Sequence, residues 1–139
     1  MNTKKNIYIL IFIFLAVATV FAIVYSSGST VLDVGESSLT INGAGSTSYT
    51  IDYEDIQSVE LVYSPDYGTS IYGGKKQKYV YGIWNNESWG EYSMYINTNI
   101  DVCIVITEIR GVFVFNYLNE QTTEDFYNSF LEYLEGKKN

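Results

Sequence analysis

The chain has no histidine, so the residue that most often serves acid–base catalysis and metal ligation near neutral pH is missing. Its one cysteine, Cys103, excludes an intramolecular disulfide. Lying in an apolar run, Cys103 reads as a small buried hydrophobe. Cations are scarce: 8 Lys and Arg stand against 16 Asp and Glu, for a formal net charge of −8. Lys4 and Lys5 are the only charges before residue 26, and taking their two positive charges away leaves −10 on the remainder. A surface of that sign repels phosphate backbones, so no nucleic-acid partner is expected. Proline occurs once, at Pro65.

Aromatic and apolar residues are abundant. The chain of 139 residues carries 14 Tyr, 7 Phe and 2 Trp. Ile7 to Tyr25 holds no charge and has only Tyr8, Thr19 and Tyr25 as non-apolar members. Its length suits a bilayer core of ~30 Å, with Tyr8 and Tyr25 at the interfaces. The lysines before it place the N-terminus in the cytoplasm. The organisation expected is a cytoplasmic N-terminus at 1–6, a transmembrane signal anchor at 7–25, a linker at 26–29 and one domain at 30–139. A cleaved signal peptide is the alternative for 7–25, with Val20-Phe21-Ala22 as the cleavage site and a secreted product. The domain is then extracytoplasmic, on a single-pass protein of the cell membrane.

The domain reads as β-rich, with one late helix. Short alternating runs occur at Thr30–Val34, Leu39–Ile41 and Tyr49–Tyr53, with Asn42-Gly43-Ala44-Gly45 as a turn. Further strands are expected at Ile56–Tyr63, Tyr79–Trp84, Glu91–Asn97 and Val112–Leu118, and residues 64–78 read as a long loop. Val102–Thr107 is nearly continuous apolar, as a strand buried on both faces would be. Then the period changes. Phe126, Phe130 and Leu134 recur at i+4, Thr122 serves as a cap and Gly136 as a stop, which predicts a helix over 122–135. Its apolar face must cover the sheet.

This order of elements resembles the bacterial pleckstrin-homology-like domains. The residues that carry the resemblance are Tyr53-Glu54-Asp55-Ile56-Gln57-Ser58-Val59-Glu60-Leu61, the glycine-bearing loop, Gly82, Gly90 and the Val112–Asn116 strand leading to the helix. The resemblance covers roughly residues 30–135. It implies a bent antiparallel β-barrel of about seven strands capped by the C-terminal helix. Many members carry more than one membrane helix, and this chain offers one.

Candidate interaction residues are Tyr67 and Tyr72 in the 64–78 loop, the cluster Lys75, Lys76 and Lys78, and Trp84 and Trp89 around a hairpin. The tyrosines suit a partner's apolar surface, the lysines an anionic headgroup, and the tryptophans the face of a sugar. Each also has a plain structural reading, as a solvated loop or as packing. Asp52, Glu54 and Asp55 lack the spacing of a calcium loop, and Gly43-x-Gly45 precedes a strand where a phosphate loop precedes a helix. Asn86-Glu87-Ser88 matches a glycosylation acceptor. No cofactor, metal or small-molecule substrate is expected. The function expected is a non-catalytic protein-interaction module, with a headgroup- or glycan-binding domain, or a hydrolase built on paired carboxylates, as alternatives.

Overall fold

The structure, a computed structural model, describes residues 3–26, 30–43 and 48–138, with α1 side chains described at Lys4 and over 6–16. The elements are α1 (Thr3–Ser26), β1 (Val31–Val34), β2 (Ser38–Asn42), β3 (Ser48–Asp52), a 3₁₀ turn (Tyr53–Asp55), β4 (Ile56–Tyr63), β5 (Thr69–Lys76), β6 (Tyr79–Asn86), β7 (Gly90–Asn97), β8 (Val102–Glu108), β9 (Gly111–Phe115) and α2 (Glu120–Lys138). The expected linker 26–29 and turn 42–45 lie largely outside the described residues.

The strands form two sheets. β1–β2–β3 is an antiparallel meander, and the larger sheet runs β4–β8–β9–β7–β6–β5. Its first face carries Tyr79, Tyr95, Ile104, Ile106, Phe113 and Phe115, which pack against Leu39, Ile41 and Ile51 of the small sheet and Phe130 of α2. Its second face carries Tyr92, Met94, Ile96, Cys103, Val105 and Val114 in a separate cluster. At the central strands β7, β8 and β9 both faces of the large sheet are therefore apolar and buried. This explains why Val102 to Ile106 is apolar without alternation: all five residues are buried.

The chain takes one unusual step. β7 and β8 are consecutive, yet β9 lies between them, antiparallel to β8 and parallel to β7. Residues 98–101 must cross over the end of β9 to reach β8. Asn116, wholly buried just past β9, ties this crossing together. Its Oδ1 accepts from Asn97 N–H at 2.8 Å, and its Nδ2 donates to Asn97 O at 3.1 Å and Val102 O at 3.3 Å.

α2 fulfils its periodicity. Phe126, Phe130 and Leu134 face the core, and Phe126 stacks on Phe130 at 5.4 Å. Its cap sits earlier than Thr122. Asn119 Oδ1 accepts from Thr122 N–H at 2.8 Å, and Thr122 Oγ1 accepts from Asn119 N–H at 2.9 Å, a reciprocal capping box. Gly136 does not stop the helix, which continues to Lys138.

Three expectations are corrected. First, among the described residues no barrel closes. β3 and β4 are joined by the 3₁₀ turn but do not pair, and the small sheet stacks on the large one without continuing it. The outer strands β4 and β5 are separated by four others, so the bent antiparallel barrel of about seven strands is replaced by two stacked sheets of nine strands. Second, the transmembrane signal anchor at 7–25 is not found: among the described residues no helix is long and apolar enough to cross a membrane. The described apolar side chains of α1, Ile7 to Leu15, are 49% to 73% exposed. Side chains 17–25 of the expected span lie outside the described residues. Third, residues 64–78 are not a loop: Thr69 to Lys76 forms β5. It escapes sequence reading because it buries almost nothing, so no alternation is needed.

Candidate interaction surface

β5 forms one edge of the large sheet and, among the described residues, pairs only with β6. Seven of its residues are exposed and Gly74 is half-buried, with Ile71 at 55% and Tyr72 at 75%. The hairpin is held by backbone pairing, and two facing glycines shape it. Gly73 and Gly82 are register partners with φ of +136° and +123°. A Cβ on Gly73 would meet Tyr81 O at 2.1 Å, and one on Gly82 would meet Tyr72 O at 2.1 Å. Only residues without a side chain allow this approach. The register also slips between Ser70 and Tyr72, a bulge that bends the edge.

Beside this edge runs a groove of about 480 Å³, lined by Tyr49, Tyr72, Tyr81, Ile83, Phe113 and the two glycines, among others. Its far wall is β3 of the small sheet. Tyr49 stacks on Phe113 at 4.3 Å and donates its hydroxyl to Glu108 Oε1 at 2.9 Å. Burial, then the Glu108 hydrogen bond, holds the Tyr49 phenol above its usual pKa.

Glu108 is 2% exposed and anchors this wall. Besides Tyr49, its carboxylate accepts from Arg110 Nε at 2.9 Å and Arg110 N–H at 3.1 Å. Arg110 also donates from Nη2 to Thr50 O at 2.6 Å and lies 5.3 Å from the Tyr49 ring centre. The β8–β9 turn thus clasps β3. Sequence reasoning passed over Glu108 and Arg110; the available signal was a carboxylate ending an otherwise apolar strand, two residues before a cation.

The candidate residues separate. Tyr72 lines the groove, and Lys75 and Lys76 end the same strand, exposed. Lys78 is also exposed, with its ammonium 5.8 Å from the Tyr79 ring centre. Among the described residues the sole ion pair is Arg110–Glu108, so these lysines face no carboxylate partner. Tyr67, Trp84 and Trp89 go elsewhere, packing partly buried against the second face. Tyr92 donates its hydroxyl to Tyr67 O at 2.5 Å, and Trp89 meets the Tyr92 ring edge-on at 5.0 Å. Tyr67 lies beside the Cys103 thiol, and burial raises the pKa of both groups, Cys103 to about 12. Trp84 Nε1 is buried without a hydrogen-bond partner among the described residues.

A second cleft, about 560 Å³, lies between the β1–β2 turn and the end of α2, with Glu36, Asp52 and Glu54 in its walls. The chain's own Lys137 reaches it, donating to Glu36 O with its ammonium near the Tyr53 and Tyr133 rings. Among the described residues, no group of His, Cys, Asp and Glu side chains has the arrangement of a metal site.

The surface along β5 thus combines an edge strand, aromatic walls and positive charge. Comparison with protein-family models, with curated proteins and with solved structures gave no match.

Proposed function

We propose that this protein is a non-catalytic interaction module that docks a partner protein along β5. The observation that carries the reading is an eight-residue edge strand, exposed almost throughout, lying beside an aromatic groove. Edge strands are blunted by covering, shortening, bulges or lysines; β5 has a bulge at Ser70–Tyr72 and lysines at its end, and the uncovered stretch between them is a template for strand addition. Glycan stacking on Trp84 and Trp89 is the weaker reading, because both rings pack against the second face. Lipid contact through the exposed apolar side chains of α1 belongs to the same proposal, and cell fractionation with and without residues 3–26 tests it. Release of the truncated chain from membranes is the expected result.

The docking reading is tested by co-purification. A protein retained by the wild-type chain in detergent extract should be lost from an Ile71→Asp/Tyr72→Asp variant. Both positions are exposed, so the fold tolerates the change. Equal retention by the variant refutes docking at this edge.

A further inference from the structure

Resting on the β5 docking reading, we infer the chemistry of the docked segment: an extended acidic peptide. It adds to the large sheet as a further strand beside β5, and its aromatic or β-branched side chains settle into the glycine-floored groove.

Three observations converge. The first is the edge, left without a strand partner among the described residues, whose backbone groups beyond the Ser70–Tyr72 bulge can pair with an incoming strand. The second is the groove. Side chains of an added strand alternate between faces, so every other one points toward the side where Tyr49, Tyr72, Tyr81 and Ile83 form walls. Gly73 and Gly74 leave β5 without side chains at successive positions, so a residue on the added strand can lean across it. A Cβ on Gly74 would lie 2.7 Å from the Tyr81 hydroxyl, which places that ring over the strand as a stacking surface.

The third observation is charge. On a chain of net charge −8, Lys75, Lys76 and Lys78 collect at one end of this edge and, among the described residues, form no ion pair. Local positive charge on an acidic body steers acidic segments to this edge and repels basic ones. A second copy of this chain fits less well. Its own β5 carries the same lysines, and its body carries the same excess of negative charge.

The test uses the full chain in detergent micelles and a displayed library of random dodecapeptides. Selection should enrich sequences that alternate aromatic or β-branched residues with Asp or Glu. Hydrogen exchange with an enriched peptide bound should slow at the amides of Thr69–Lys76. A Lys75→Glu/Lys76→Glu/Lys78→Glu variant should bind that peptide at least about tenfold more weakly and should enrich basic sequences instead. These positions are exposed, and an unchanged circular-dichroism spectrum checks the fold. If neutral or basic peptides are enriched and protect β5, the acidic-segment inference falls while docking at β5 survives. If no peptide protects β5, or protection tracks a concentration-dependent dimer in sedimentation, the inference is overturned.

Discussion

Replacing Asn116 by Ala removes the side chain that allows β9 to lie between two consecutive strands. The crossing at 98–101 brings Asn97 and Val102 to either side of the chain just past β9, and one primary amide serves both. Alanine leaves Asn97 N–H without its acceptor in a residue 2% exposed, and strips one bond each from Asn97 O and Val102 O. Three hydrogen bonds contribute about 1 kcal/mol each, and a buried donor left unpaired costs about 1–3 kcal/mol. The 3.3 Å contact to Val102 counts for less than the others. Each carbonyl has a second lone pair and can keep a partner in the ladder. The loss expected is therefore about 3 kcal/mol, against a typical total stability of 5–15 kcal/mol. Urea denaturation followed by Trp fluorescence measures it, as a midpoint lowered by about 2 M with the slope unchanged. Asn116→Asp keeps the volume and the acceptor for Asn97 N–H but turns an anion toward two carbonyl oxygens, so it should cost at least as much. A loss under about 1 kcal/mol for Ala would refute the assignment of Asn116 as the pin, because that is no more than a single ordinary hydrogen bond.

The clasp on β3 predicts an asymmetry. Arg110→Met strands a carboxylate whose side chain is fully buried and should cost about 3 kcal/mol, whereas Glu108→Gln gives up one acceptor oxygen but leaves no buried charge and should cost less, about 1–2 kcal/mol; thermal unfolding of both variants checks the order. Cys103, with its pKa raised to about 12, should resist thiol reagents at pH 8 until the protein unfolds; rapid native-state labelling contradicts its burial. A raised thiol pKa also means that the unfolded chain loses this proton first. Its contribution to stability is thus fully present below pH 9 and lost as pH rises toward 12, and Cys103→Val should flatten that fall in denaturation curves. Gly82→Ala should destabilise by about 2 kcal/mol or more, because it combines positive φ with a backbone clash. Gly90→Ala, with φ +68° and open space around it, should cost only about 1 kcal/mol, and equal melting temperatures for the two would contradict the account of the close approach between β5 and β6 at Gly73 and Gly82.

Much of the fold was legible wherever burial imposes a period. β8 was readable as a strand buried on both faces, and α2 as an amphipathic cover, because Phe126, Phe130 and Leu134 recur with the helical turn. β5 was not legible. It is exposed, interrupted by two glycines and ends in lysines, so it is held by backbone pairing that leaves no mark on side-chain choice. Of the candidate residues, Tyr72 and the lysines lie along the edge; Trp84 and Trp89, open to display or packing in the sequence, pack against the second face with Tyr67. An aromatic residue on a strand reads the same from either side of a sheet.

By itself the sequence determined the charge, the β-rich character, the late amphipathic helix and the exclusion of an intramolecular disulfide. These follow from composition and from periods of two and 3.6 residues, which are local. Tertiary structure alone decided that two sheets stack instead of closing, that β9 slips between β7 and β8, and that Glu108 and Arg110 clasp β3. Those outcomes depend on residues far apart in the chain. Asn116 and Val102 are separated by 14 positions, and Arg110 and Thr50 by 60. No local period records such pairings, because a hydrogen bond between distant residues constrains only the two groups that meet.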